Sequence, residues 1–336
     1  MSTEPQNNQS ESFLDSALRP LFWEHYIGQE DIKKNLQILL GAARERNHPP
    51  EHLLFYGSPG LGKTTLAYLV AKEMGTQIKM TSGPAVEKVG DLASILTNLS
   101  NGDVLFIDEI HRLNKMIEEV LYPAMESGTL NIIIGKGPGA RTIQLELPPF
   151  TLVAATTRVA LLSSPLRSRF SGGVYRLNPY TEEEIRRIIT RSAKILGIHI
   201  DDDGTEEIAK RSRFVPRTAN HLLKRVRDYA QVHKKPLNKE TVLKALHLLG
   251  IDDAGLSSLD IKILELVALK FGGGPVGLTT IATAIGEDEQ TIEEVHEPYL
   301  IQLGLIEKTP RGRVLTALGY RHIGIKLPET RQQKLL

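Results

Sequence analysis

The chain contains no cysteine. That excludes disulfides, a thiol nucleophile and thiolate metal sites, and it fits a reducing cytosol. No apolar run approaches the ~20 residues that a membrane helix needs. The polar start, Met1 to Glu11, lacks the basic stretch and apolar core of a signal peptide. A soluble, cytoplasmic protein is the expectation. Net charge of one sign is also missing, since 41 basic residues face 40 acidic ones for a total of +1. A broadly basic surface is therefore excluded, and any contact with nucleic acid has to come from local clusters. The mild basic excess falls in residues 182–250. There is no internal repeat and, beyond the polar start, no low-complexity tract. What is there is a 336-residue chain with 41% apolar and 24% charged residues, long enough for roughly two or three domains with their own cores.

Residues 51 to about 180 alternate short apolar runs with helical patterns. The runs are Leu53-Leu54-Phe55-Tyr56, Val104-Leu105-Phe106-Ile107 and Thr151-Leu152-Val153-Ala154-Ala155. Nearly continuous apolar strands are what a parallel sheet buried on both faces demands, so this part reads as α/β with a parallel sheet. From Thr181 the pattern turns helical. Ile185, Ile188, Ile189, Ala193 and Leu196 share one face, as do Ala219, Leu222, Leu223, Val226 and Ala230. Val242, Ala245, Leu246 and Leu249 follow, with Gly250 as a stop. Asp252-Asp253-Ala254-Gly255 reads as a linker. A third unit opens with the capping pattern Ser257 to Asp260, and its first helix ends at Gly272-Gly273-Gly274. Further helical patterns lie near Thr279–Ile285 and Asp288–Gln302, and the Gly/Pro-punctuated segment Gly304 to Thr316 suits a β-hairpin. Three helices and then a hairpin is the order of a winged helix. The expected division is 1–180, 181–251 and 255–336.

Gly57-Ser58-Pro59-Gly60-Leu61-Gly62-Lys63-Thr64 matches G-x-x-x-x-G-K-[ST] at every fixed position. Its glycines let backbone N–H groups turn inward on phosphates. Lys63 would reach the β- and γ-phosphates, and the Thr64 hydroxyl would bind Mg²⁺. The loop follows an apolar strand and precedes the helical pattern Leu66, Ala67, Leu69 and Val70. A dinucleotide fingerprint does not fit, because no third glycine follows at the required spacing. The strand Val104 to Ile107 ends in Asp108-Glu109, where Asp108 is expected to reach the metal and Glu109 to polarise the attacking water. Thr156-Thr157-Arg158 closes the next buried strand. A hydroxyl there either orients that water, senses the γ-phosphate, or simply ends a strand. Arg167 and Arg169 are open between solvated arginines and a transition-state arginine supplied to a neighbouring subunit. Arg217, between Pro216 and a helix starting near Thr218, has a similar ambiguity.

Together these residues resemble the AAA+ ATPases and, among them, the RuvB family, the motors of bacterial Holliday-junction branch migration. The resemblance runs from about Leu18 to about Gly324. It is carried by Gly57–Thr65, Thr81-Ser82-Gly83-Pro84, Asp103–Leu113, Glu119–Glu126, Leu147–Arg158, Ser164–Phe170, Phe271–Gly277, Tyr299–Gln302 and Thr309–Arg313. It implies an AAA+ P-loop ATPase domain with a parallel sheet, then a small all-helical lid domain and a winged-helix head domain. It also implies ATP and Mg²⁺ as cofactors, a homo-hexameric ring on duplex and four-way-junction DNA, and a role in recombination and repair. A RuvA-type junction-binding protein and a RuvC-type resolvase are the implied partners.

Residue by residue, Leu18, Arg19, Tyr26 and Ile27 would lie on the adenine side. Gly60, Leu61, Gly62, Lys63, Thr64 and Thr65 would line the phosphates, and Tyr180 would also touch nucleotide. Lys63, Asp108, Glu109 and Thr157 would be catalytic, with Thr64 and Asp108 on the metal. Arg169 matches the trans-acting finger, and Arg217 the lid arginine that senses the γ-phosphate. Leu130 to Leu147, around Gly135-Lys136-Gly137-Pro138-Gly139, matches a hairpin that docks on RuvA through Ile143 and Leu145. A hairpin packed on its own domain is the alternative. The chain departs from the family pattern at Ser58, at Lys308 and at the looser stretch Ser171-Gly172-Gly173-Val174.

A winged helix usually places its third helix in the major groove. Here that helix carries Glu287, Asp288, Glu289, Glu293, Glu294 and Glu297, which would repel phosphates. The basic cluster Lys308-Thr309-Pro310-Arg311-Gly312-Arg313 lies at the wing tip instead. Contacts from Lys308, Arg311 and Arg313 would be independent of sequence, which suits a motor that travels over any DNA; a solvated turn is the bland alternative. Other readings are a clamp-loader-type remodelling ATPase, or a DNA-binding regulator switched by nucleotide. Phe271–Gly277 and Thr309–Arg313 speak against the first, and Glu109 and Arg169 against the second.

Overall fold

The computed structural model describes residues 17–134 and 141–327. Packing divides the chain into two units, Met1–Ile198 with Phe214–Asn220, and His199–Arg213 with His221–Leu336.

In the first unit, helix α1 (Glu30–Glu45) buries Ile32, Leu36, Leu40 and Ala43 along one face, the spacing of an amphipathic helix. Then follow β1 (Leu53–Tyr56), α2 (Lys63–Met74), β2 (Ile78–Ser82), α3 (Val89–Thr97), β3 (Val104–Asp108) and α4 (Lys115–Ser127). Next come β4 (Thr129–Ile134), β5 (Arg141–Glu146), β6 (Thr151–Thr156), α5 (Ser164–Ser168), β7 (Gly173–Arg176) and α6 (Glu182–Ile195). Five strands form one sheet in the order β2-β3-β6-β1-β7, and each neighbouring pair is parallel. The three runs expected from the sequence are the middle strands β3, β6 and β1. Val104–Ile107, Thr151–Thr156 and Leu53–Phe55 are almost wholly covered, as a sheet with two packed faces requires.

The edge strands were not expected, and the reason is physical. β2 carries Lys79 and Thr81 and stays half-exposed, so no apolar run marks it. β7 begins inside the stretch Ser171–Val174 that looked merely loose. Gly172 donates its N–H to His52 O at 3.0 Å, and a Cβ there would lie 2.7 Å from Glu51 O. The glycine is a close approach of two backbones, not slack.

β4 and β5 form the expected hairpin, with Leu130 opposite Leu145 and Ile132 opposite Ile143. The glycine-rich segment Gly135 to Gly139 lies outside the described residues.

Helix α7 (Asp202–Arg211) belongs to the second unit, and α8 (Pro216–His233) passes into it after Asn220. α9 (Lys239–Leu248) is followed by α10 (Ser258–Glu265), where the capping box of Ser257 and Asp260 forms as expected. A π-helical turn, Leu266–Lys270, extends α10 to Phe271. α11 (Leu278–Ile285) precedes a second helical stretch made of α12 (Glu289–Thr291), a π turn at Ile292–His296 and α13 (Glu297–Gln302). The hairpin β8 (Ile306–Thr309) and β9 (Gly312–Leu315) follows, and α14 (Ala317–His322) closes the described chain. Leu256, Leu264, Val267, Leu300, Leu315 and Tyr320 lie at the centre of this core. Among the described residues, no helix is long and apolar enough to cross a membrane.

Candidate active site

The strand order sets the site. β6 lies between β1 and β3, so the loop after β1 and the carboxylates ending β3 flank the end of β6. In an open parallel sheet, ligands bind outside these carboxyl ends.

Gly57, Gly60 and Gly62 have φ values of 143°, 81° and 101°, conformations that glycine alone adopts without strain. α2 starts at Lys63 directly after Gly62, leaving its first N–H groups for an anion. Lys63 is buried, and its ammonium donates to Gly57 O at 2.7 Å and Ser58 O at 3.0 Å. Burial lowers its pKa and outweighs the opposing pull of Glu109 and Asp108. A cation held there is short of water and ready for anionic ligands.

Asp108 accepts from the Glu109 N–H at 3.0 Å. Glu109 has left-handed backbone, φ 47°, and its Oε2 accepts from both the N–H (3.3 Å) and the hydroxyl (3.1 Å) of Thr157. Thr156 does something different. It is fully buried, and its hydroxyl meets His111 Nδ1 at 2.9 Å. Of the two threonines, Thr157 is the one bonded to Glu109.

Tyr26 and Tyr180 form one wall. The Tyr180 hydroxyl donates to Leu61 O at 3.1 Å and lies 3.4 Å from the Tyr26 hydroxyl. Burial pushes Tyr180 up to about 12, and burial with the neighbouring Tyr180 raises Tyr26 as well. Both stay neutral at ordinary pH. The Arg19 guanidinium stacks 4.1 Å over the Tyr68 ring, and Leu18 O accepts from Arg191 at 2.9 Å.

These elements surround a cavity of about 470 Å³, the size range of small-molecule sites. Leu18, Arg19, Tyr26, Ile27 and Tyr180 line it, as do Gly60, Gly62, Lys63, Thr64, Thr65, Asp108, Glu109 and Arg217. Leu61 is the exception among the loop residues. Its side chain is buried in the core, and its carbonyl serves Tyr180. Pro20, His25, Pro59, Ile188, Arg191, Pro216 and Asn220 also line the cavity and were not picked out beforehand. Ile188 and Arg191 sit nearly one turn apart on α6, but nothing local distinguishes them from other helical residues.

Three family models match the chain. They are the Holliday junction DNA helicase RuvB P-loop domain over residues 18–177, the RuvB AAA lid domain over 180–252, and the RuvB C-terminal winged helix domain over 253–324. Among solved structures, the Thermotoga maritima RuvB Holliday junction branch migration motor is 48% identical, with 93% of this chain and 100% of that one covered and a TM-score of 0.84. A mutant of Thermotoga maritima RuvB matches at 48% identity, with 93% and 99% covered and a TM-score of 0.85. The chain belongs to the RuvB family. As a RuvB-family P-loop ATPase it combines a parallel-sheet nucleotide-binding domain, an AAA lid and a winged-helix domain.

The remaining residues of the RuvB pattern lie outside the cavity. Arg169 pairs with Glu126 at 2.9 Å, donates to Pro165 O at 2.7 Å, and stacks 4.4 Å over the Tyr122 ring. Tyr122 is itself tied to Glu118 and Ser163. Arg167 is exposed. In the hairpin, Ile143 is 44% exposed, whereas Leu145 packs against its own core. In the wing, Arg313 is anchored on the buried Glu297 by bonds of 2.7 and 3.1 Å, and Lys308 lies 3.3 Å from Glu293 and 3.5 Å from Glu297. Arg311 is exposed in the turn between the two strands. The acidic helix therefore grips the wing from within, a pairing that sequence spacing gives no hint of.

Proposed function

We propose that this chain is an ATP-driven motor that moves Holliday junctions along duplex DNA in recombination and repair. It would act in the cytoplasm as a homo-hexameric ring with a RuvA-type junction-binding protein, and with a RuvC-type resolvase in the same complex. The observation that carries this is the meeting of Lys63, Asp108 and Glu109 in one cavity, in a chain of the RuvB family.

Lys63 and the N-terminus of α2 would neutralise the phosphates, and Tyr26, Ile27, Leu18 and Arg19 would hold the base. Thr64 and Asp108 supply hard oxygen donors to the same cavity. Among the described residues, no cluster of His, Asp and Glu could hold a metal by itself. Thr64 and Asp108 thus fit Mg²⁺, which commonly completes its shell from phosphates and water. The ion would there offset charge developing on the phosphates. Glu109 orients and polarises the attacking water, Thr157 fixes Glu109, and Arg217 reads the γ-phosphate from the lid. Arg169 would serve the neighbouring subunit. The domain division 1–180, 181–251 and 255–336 assigns these tasks to motor, lid and head. Arg311 would touch DNA, with Lys308 and Arg313 behind it, and Ile143 would be the hairpin's foremost contact to the RuvA-type partner, with Leu145 beneath it.

Migration of a synthetic four-way junction with ATP, Mg²⁺ and a RuvA-type protein tests this. The unmodified chain should migrate the junction, and Lys63→Ala should neither bind nucleotide nor migrate it. Glu109→Gln should bind ATP while turnover falls by about 10² to 10⁴. ATP hydrolysis without junction movement would instead make it a remodelling ATPase of another kind.

A further inference from the structure

We propose that His111 is a positioning residue that holds Glu109 for water activation and ties it to the end of β6 through Thr156. This rests on Glu109 acting on water, as above.

His111 sits in the 3₁₀ turn Ile110–Arg112, directly after Glu109. Its Nδ1 lies 3.1 Å from Glu109 Oε2 and 2.9 Å from Thr156 Oγ1, with its side chain 10% exposed. A lone pair facing a carboxylate repels it, so the tautomer that fits carries its proton on Nδ1, hydrogen-bonded to Thr156 Oγ1 and facing Glu109 Oε2. The Thr156 oxygen then accepts that N–H and also accepts from Arg158 N–H at 3.0 Å. Thr157 donates twice to the same Oε2. The two Thr157 bonds and the His111 approach all meet Oε2 of Glu109, and on this proposal Oε1 is the oxygen that acts on water.

Two elements packed on this turn, β6 and the turn Gly83–Ala85, are made of uncharged residues. Asp108, Glu109 and Arg112 are the charged residues nearest it in its own segment. A histidine that merely satisfied the core would need Thr156 alone. The approach to Glu109 is what goes further. His111 is not among the residues that line the nucleotide cavity, so on this proposal its effect on ATP passes through Glu109.

Two measurements on the full-length chain test this. The first is ATPase kinetics with DNA and partner. His111→Ala should lower kcat by about 10- to 100-fold, the usual cost of losing an orienting partner, with the KM for ATP little changed. His111→Asn, whose amide nitrogen falls near the Nδ1 position, should restore most of the rate. In a Glu109→Gln background, adding His111→Ala should cost no more than about 2-fold in single turnover, because residues acting through one group are not additive. An unchanged kcat in His111→Ala, or an undiminished loss in that background, overturns the proposal.

The second is imidazole ¹⁵N NMR, with the His111 signals assigned by their loss in His111→Asn. The Nδ1–H tautomer is expected, and Glu109→Gln should lower the His111 pKa by removing the charge that favours imidazolium. A His111 titration blind to Glu109→Gln overturns the proposal without reference to turnover. A wild-type chain with no ATPase activity would sink the catalytic reading of Glu109 instead, and the NMR result would still decide whether His111 grips it.

Discussion

Gly62 shows how much of the site depends on single residues. Its φ of 101° is relaxed only for glycine, and a Cβ there would lie 2.9 Å from the Tyr26 hydroxyl. Gly62→Ala therefore combines backbone strain of about 1–2 kcal/mol with a push on the Tyr26–Tyr180 wall. We expect a lower melting temperature and at least about tenfold weaker nucleotide binding, since a loss of 1.4 kcal/mol is already tenfold. Normal affinity measured with a fluorescent ATP analogue would show that the loop relaxes around the methyl group. Thr157→Val should leave Glu109 with fewer donors and lower kcat more than it changes the KM for ATP. A change in KM alone would mean that Thr157 contacts nucleotide instead.

At the scale of elements, the acidic helix and the wing have to be read together. Arg313 is anchored on buried Glu297, so its removal leaves that buried carboxylate with the longer Lys308 contact of 3.5 Å in place of two short bonds. Losing one partner of such a pair costs about 3–5 kcal/mol. Arg313→Ala should thus destabilise the head in denaturant unfolding. Arg311→Ala should leave stability intact and weaken DNA binding equally for unrelated sequences, with the log–log salt slope reduced by roughly 0.9. If Arg313→Ala proves stable and gives the larger salt effect, the division between the two arginines is wrong. A second buried cluster ties α10 to the rest of its unit. Asp260 is wholly buried and accepts from His296 at 2.7 Å, from Arg213 at 2.5 Å and from Ser257. Burial acts to raise its pKa, but His296, Arg213 and Ser257 together outweigh it and lower it. A lowered folded pKa means stability that is present above the unfolded value, about 3.9, and is lost as pH falls through the lower folded value. Asp260→Asn should be about 3 kcal/mol less stable at pH 7, and its gap to the unmodified chain should close below about pH 3.9. A gap that stays constant to pH 2.5 would show that the charge contributes nothing.

For the whole molecule, Arg169 decides whether the chain works alone or in a ring. Its guanidinium is away from its own cavity, braced by Glu126, Pro165 and Tyr122. On the proposed trans role it would serve a γ-phosphate on another subunit. Arg169→Ala should bind ATP nearly normally and hydrolyse it about 10³- to 10⁵-fold more slowly. Mixing it with Lys63→Ala creates interfaces with an intact finger facing an intact P-loop, and part of the activity should return. Wild-type turnover by Arg169→Ala alone, with DNA and partner present, would rule out the trans role and move attention to Arg167.

The sequence by itself determined what rests on neighbouring residues. The phosphate loop is legible because its glycines and the Lys63-Thr64 pair all lie within one short stretch of chain. The middle strands β1, β3 and β6 are legible because burial on two faces leaves nearly continuous apolar runs there. The Ser257 cap is legible because both of its partners lie within one helical turn. Only the tertiary structure decided the rest. β2 and β7 are edge strands whose pairing, not whose composition, makes them strands. Gly172 looks like slack until the backbone of Glu51 and His52 is laid against it. Arg313 is a candidate DNA contact by sequence, and only the fold shows Glu297, 16 positions away, beneath it; nothing in the sequence marks His111 until β6 brings Thr156 to it. The partner of a polar side chain is set by how distant elements pack, and no local pattern records that choice.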